Sequence, residues 1–304
     1  GFHAKPEKGG VAMTDRVPLI LDCDNTMGVP GRDVDDGLAL LYLLGSPQVE
    51  LLAVTCSFGN STQEVVYRNT LDLLARWGRE DIPVLRGADG PAHRASPAAE
   101  FLAEAARKWA GALRLLVTGS ATNLLGAWAA DRGFFDNVSA ISLMGGVTGP
   151  LVVGGRPMAE LNFSVDPEAA LAVLSRGKNV AVATAQNCLD SYFPAGELRK
   201  RLAESHTPAA RFLPQVLEDW FEVYERAWNL QGFINWDVMA AAQLLRPDLF
   251  SRGERIITPT EASLGTGQLL ADGPPLRARL PRIRDREVYR RHVYDAILSA
   301  RIDM

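Results

Sequence analysis

Short apolar runs alternate with longer amphipathic ones along this chain, and the alternation predicts its elements. Residues 17–23 (VPLILDC) are a short, branched apolar run, and the turn formers Asp, Asn, Pro and Gly follow them. This is the pattern of a buried strand. After a loop over 24–34, Asp35 and Asp36 open an apolar helical run that stops at Gly45 and Pro47. Residues 50–58 (ELLAVTCSF) read as a second buried strand, and Gly59 to Thr62 as a turn and cap for a helix running to about Trp77. Further strands are expected at 82–85, 113–117, 138–144 and 180–184. Helices are expected at 96–110, 122–130, 167–176, 195–204, 208–230, 237–245 and 286–301. Apolar strands separated by helices predict a single α/β domain over 13–304, with a mostly parallel central sheet flanked by helices. Ligands of such sheets bind outside the carboxyl ends of the strands.

Composition narrows the partners. The 304 residues are 47% hydrophobic and 22% charged, with a net charge of -4, as in ordinary globular proteins. No large cationic surface for nucleic acid is expected, and no apolar stretch is long enough to cross a bilayer. The Arg-rich stretch 277–291 also carries Asp285 and Glu287 and reads as a solvated face with a role in subunit contact. Residues 1–12 are polar and Gly-rich and precede Met13, the pattern of a leader or disordered tail without the apolar core of a signal peptide. Three cysteines, Cys23, Cys56 and Cys188, lie in or beside apolar runs without metal-ligand spacing. They are expected to be reduced and buried, which suits a cytoplasmic protein.

The chemistry concentrates in one acidic cluster. Asp22 and Asp24 end the first strand, and Asp33, Asp35 and Asp36 lead into the next helix. Two carboxylates about 4 Å apart repel by about 4 kcal/mol at an effective dielectric near 20. A helix N-terminus offsets only about 0.3–1 kcal/mol per charge. A bound cation offsets more, and an all-oxygen donor set selects a hard one, Ca²⁺ or Mg²⁺. LILDCDNT also fits the strand-DxDxT pattern of haloacid-dehalogenase phosphatases, in which Asp22 would be the nucleophile. That pattern needs a later acidic pair after another strand, and none follows. An EF-hand loop needs a closing Glu that 24–36 lacks.

Five segments, in order, resemble the nucleoside hydrolase family. They are the Asp22-Cys23-Asp24 and Asp35-Asp36 pairs, AVTCSFGN ending at Asn60, LLVTGSATNLL, AELNFSVDPEAA, and NWDVMAA. ISLMGG matches a further family segment. The resemblance covers about residues 17–300 and implies hydrolysis of the N-glycosidic bond of nucleosides. It implies a calcium ion held by Asp24, Asp36, Asp237 and the Thr118 carbonyl. Asp35, Asn60, Glu160 and Asn162 would bind the sugar, and Asp24 would be the general base. It also implies a homo-oligomer, dimer or tetramer. A non-catalytic riboside-binding member is the remaining alternative within the family.

The sequence departs from the family pattern in four places. Ten residues separate Asp24 from Asp35 where many members have three, so a bulge at the sheet edge is expected. Trp236 stands where many members have a His beside the last calcium ligand. An indole can stack on a purine, so purine nucleosides are the expected substrates. His93 is a candidate to meet the leaving base, in a region where a His-Gly segment is missing. Gly154 replaces an Asn six residues before Glu160, so the 5′ end of the sugar is expected to be held differently. The aromatic-rich stretch 211–228 is expected to be helical, with its aromatic residues packed in the core.

Overall fold

A computed structural model describes residues 16–304. The expected leader over 1–12 lies outside the described residues, as do 13–15. The strands are β1 (Val17–Cys23), β2 (Val49–Cys56), β3 (Val84–Leu85), β4 (Arg114–Val117), β5 (Ala140–Met144), β6 (Val152–Val153), β7 (Arg156–Pro157), β8 (Val180–Ala183), β9 (Tyr192–Pro194), β10 (Gly232–Ile234), β11 (Glu254–Ile257) and β12 (Leu276–Arg279). The helices are α1 (Asp35–Leu44), α2 (Gln63–Arg76), α3 (Pro97–Lys108), α4 (Thr122–Ala130), α5 (Phe134–Asn137), α6 (Pro167–Arg176), α7 (Ala185–Cys188), α8 (Ala195–Glu204), α9 (Pro208–Phe212), α10 (Pro214–Trp228), α11 (Trp236–Leu245), α12 (Glu261–Leu264) and α13 (Arg286–Leu298).

Among the described residues, eight strands form one sheet in the order β11-β12-β8-β5-β4-β1-β2-β3. Neighbouring strands run parallel except the edge pair β11 and β12. Side chains alternate between two apolar layers, as a pleat requires. Leu19, Leu21 and Leu116 face a layer shared with α1, α11 and α13. Ile20, Leu115, Val117, Ile141 and Leu143 face the opposite layer, with α3, α4 and α6. Burial on both faces explains why these strands read as continuous apolar runs.

Three expectations change. The helix expected over 208–230 is two helices, because Pro214 cannot donate its missing N–H to the preceding turn and so starts α10 afresh. Trp220, Phe221 and Tyr224 of α10 are buried in the core, as expected. The β11–β12 pair was not anticipated, since its exposed arginines hide the apolar alternation. The long segment between Asp24 and Asp35 lies over the carboxyl end of central strand β1, where Asn25, Thr26 and Met27 are buried. The Asn69 side chain of α2 donates to the Met27 carbonyl at 3.0 Å, and the Gly31 N–H donates to Asp219 Oδ2 of α10 at 2.8 Å. The three cysteines are free and buried. No helix among the described residues is long and apolar enough to cross a membrane.

Candidate active site

The carboxyl ends of β1, β2, β4 and β5 and the N-termini of α1 and α11 meet at one place. Asp35 and Asp36 form the first turn of α1, and Trp236 and Asp237 the first turn of α11. Both positive helix ends therefore serve the same cluster of acids.

Asp24 follows β1 and is buried. Its Oδ2 accepts the Asn60 N–H at 2.8 Å, and its Oδ1 faces the Asn60 side-chain amide at 3.3 Å. The same amide reaches Asp36 Oδ2 at 3.4 Å, and the Asp24 N–H donates to Asp36 Oδ1 at 3.3 Å. The Thr118 hydroxyl donates to Asp36 Oδ1 at 2.7 Å. The Thr118 carbonyl accepts from the Asn162 amide at 3.0 Å. Asp35 Oδ2 accepts the Trp236 N–H at 2.8 Å. The cluster thus joins residues from Asp24 to Trp236 through short contacts.

Charge is not balanced within it. Among the described residues no lysine or arginine pairs with Asp22, Asp24, Asp35, Asp36 or Asp237. Burial, and then the charge of Asp36, push Asp24 and Asp237 well above the carboxylate range. Burial and the charge of Asp33 do the same to Asp35. Asp36 is pushed up to about 7, chiefly by burial. Asp22 also rises to about 7 by burial, although Thr55 and Asn123 donate to its Oδ2 at 2.6 and 2.9 Å. Asp22 Oδ1 and Asp35 Oδ1 are buried without any hydrogen-bond partner. Buried oxygens in that state cost several kcal/mol unless a cation or proton meets them.

These donors fit a hard cation: they are all oxygen, acidic, buried and unpaired with any cationic side chain. Among the described residues no group of three or more histidine, cysteine, aspartate or glutamate side chains stands arranged to hold a metal ion.

Beside the acids lies a cavity of about 120 Å³. Asp33, Asn60, Thr118, Glu160, Asn162 and Asp237 give it polar walls, and Met144, Leu151, Met158 and Trp236 give it apolar ones. The structure therefore brings Asn60, Thr118, Glu160, Asn162, Trp236 and Asp237 to one cavity, with Asp24, Asp35 and Asp36 in the buried network beneath and beside them. Glu160 also holds backbone: its oxygens accept the N–H groups of Phe163, Gly146 and Ser164 at 2.7, 3.3 and 3.0 Å. The Trp236 indole N–H donates to the Tyr224 hydroxyl at 3.0 Å, which fixes the ring. His93 does not join them. It is exposed, bonded to Asp89 at 2.9 Å, and absent from the cavity walls.

Two sets of residues escaped the sequence reading. Asp33 lines the cavity, and only its place within the acidic run hinted at this. Met144, Leu151 and Met158 form the apolar wall and carry no signal beyond hydrophobicity. Gly59 is a third constraint. Its φ is +150°, and a Cβ there would collide with Asp24 Oδ2. Gly59→Ala should therefore displace the Asp24 carboxylate from the Asn60 N–H. We expect kcat/KM to fall about tenfold or more, with a lower Tm as well because a side chain at this φ is strained. Unchanged steady-state kinetics would remove Gly59 from the site.

The chain matches the family model described as inosine-uridine preferring nucleoside hydrolase over residues 19–288. It is 30% identical over 285 residues to the pyrimidine-specific ribonucleoside hydrolase RihA of Salmonella paratyphi C, covering 84% of this chain and 88% of that one. It is 32% identical over 280 residues to the RihA of Shewanella oneidensis, covering 82% and 85%. Among solved structures it resembles the plant nucleoside hydrolase PpNRh1, with a TM-score of 0.81 at 20% identity over 93% of this chain and 99% of that one. It also resembles the purine-preferring ribonucleoside hydrolase from Gardnerella vaginalis, with a TM-score of 0.77 at 22% identity and the same coverage. These two likenesses bear on the fold, and the family match bears on the chemistry: this chain belongs to the inosine-uridine preferring nucleoside hydrolases and is an N-glycosidic hydrolase.

Proposed function

We propose that the protein hydrolyses ribonucleosides to free base and ribose, with calcium as its resident ion. The observation that carries this reading is the convergence of Asp24, Asp36, Asp237 and Thr118 beside a cavity walled by Asn60, Glu160 and Asn162. Asp24, Asp36, Asp237 and the Thr118 carbonyl would hold the ion. When bound, calcium supplies positive charge that orients and acidifies a water for attack.

The chain's own residues do the rest. Asp24 accepts the proton of the attacking water at a carboxylate oxygen, held by Asn60 in space that Gly59 leaves free. Asn60, Asn162, Glu160 and Asp35 bind and orient the sugar hydroxyls. The buried carboxylates stabilise the oxocarbenium-like sugar more than the neutral nucleoside, and that difference accelerates the reaction. The apolar wall limits water to the reacting face. A phosphatase reading with Asp22 as nucleophile is disfavoured. Asp22 lies outside the cavity walls, fully buried, with Oδ2 already engaged by Thr55 and Asn123. The free, buried cysteines suit a reducing compartment such as the cytoplasm. The resemblance to the family supports a homo-oligomer.

For the base, Trp236 in the cavity wall supports a purine preference. A stacked indole is worth about 1–3 kcal/mol. The second reading is a pyrimidine preference, favoured by 30% identity to relatives named pyrimidine-specific. The kcat/KM ratio of inosine to uridine separates them. We expect it to exceed one and to fall about tenfold in Trp236→Leu; a ratio below one in the unmodified enzyme rejects the purine preference.

A further inference from the structure

The Arg-rich segment singled out in the sequence has no part in the catalytic cavity. Its first three residues belong to β12 of the edge pair β11–β12, which meets the rest of the sheet through one register pair, Arg279 with Ala181. Ahead of that contact β12 is unpaired with β8, and a groove of about 540 Å³ opens between the pair and the turn before β8. Arg255, Arg277 and Arg279 line it. A second groove of about 310 Å³ shares Arg279 and Asn179 with the first and adds Arg114. Both lie at the amino ends of β4, β5 and β8, the end of the sheet opposite the acids.

Some arginines elsewhere on the surface carry a carboxylate, as in Arg79 with Asp81, Arg107 with Asp131 and Arg199 with Glu218. Arg255, Arg277 and Arg279 have no ion pair, side-chain hydrogen bond or ring partner among the described residues. The one acid in the groove, Glu254, is paired with Arg252 at 3.0 Å. Arg277 and Arg279 share one face of the ribbon, with Glu254 across from Arg279, whereas Arg255 is the register partner of Ala278 and leaves the other face at the rim of the groove.

We propose that this groove binds a small molecule bearing two or more linked phosphates. Guanidinium forks match phosphate oxygens in pairs. Arg277 and Arg279 stand two residues apart on one face of β12, about 7 Å along the strand, so each can engage a different phosphate. No aromatic side chain lines either groove, so nothing there stacks on a base. Recognition is of the phosphate chain, whether it comes from free tripolyphosphate or from a nucleoside triphosphate.

Calorimetry on the calcium-free protein at low salt tests this with tripolyphosphate, ATP and inorganic phosphate as probes. We expect one saturable site for tripolyphosphate, ATP within about threefold of it, and inorganic phosphate at least about tenfold weaker. The double variant Arg277→Gln/Arg279→Gln should lose about tenfold or more in affinity for tripolyphosphate and ATP while hydrolysing nucleosides at the normal rate. Absence of saturable binding overturns the proposal, as does equal affinity for inorganic phosphate. Affinity that survives in the double variant also overturns it, since the probe would then be bound elsewhere.

Discussion

Asp24→Asn should lower kcat by about 10³- to 10⁴-fold, because on the proposed mechanism it removes the proton acceptor and one donor to the ion in a single step. The fold should survive. Asparagine keeps the shape of the side chain, and its carbonyl can still accept the Asn60 N–H now held at 2.8 Å. Asp24 is buried, beside Asp36, and carries a strongly raised pKa. Neutralising it therefore relieves repulsion, and the variant's Tm without calcium should equal or exceed that of the unmodified protein. The paired measurement separates chemistry from folding: a variant with kcat within about tenfold of normal would remove Asp24 from the mechanism, whatever its Tm.

Chelation of calcium should abolish turnover, and restoring calcium should raise Tm by about 10 °C at pH 8. A ligand at a thousand times its Kd contributes about 4 kcal/mol, and each kcal/mol is worth about 2–4 °C in a domain near this size. The effect should depend on pH in a definite direction. Asp22 and Asp36 have folded-state pKa values raised from 3.8 to about 7. A raised value means that the folded state holds its protons more tightly than the unfolded chain. That contribution to stability is fully present below about pH 4 and is lost as pH rises through 7. The calcium-free protein should therefore lose stability between about pH 4 and 7, and the gain in Tm from calcium should widen over the same interval. A gain independent of pH, or turnover that persists in a strong chelator, would separate the acids from the ion.

The sequence revealed the acids better than the surface that surrounds them. Asp24 and Asp36 could be singled out because carboxylates are costly beside apolar strands and helices, so their positions stand out against β1 and α1, whereas Asp237 was marked only by the resemblance of NWDVMAA to the family. Strand ends and helix starts then assign them to one edge of the sheet. The apolar wall of Met144, Leu151 and Met158 stayed hidden, because hydrophobic residues there look the same as core residues. His93 misled for the opposite reason: its chemistry is conspicuous, yet only tertiary structure shows that it pairs with Asp89 on the surface. The break at Pro214 was legible and was overridden by the continuous aromatic pattern around it. The path of residues 25–34 depended on partners as distant as Asn69 and Asp219, which local pattern does not reach.

The bond from the Trp236 N–H to Asp35 joins residues 201 positions apart. During synthesis, a ribosome will have released the acids of the first strand and helix long before their last companion emerges. Until then the nascent chain carries a knot of negative charge that nothing in its own sequence closes. Contacts of such long range are slow to form, so assembly of this centre belongs to the final stage of folding, and a chain truncated before the eleventh helix would keep its acids but have no working centre.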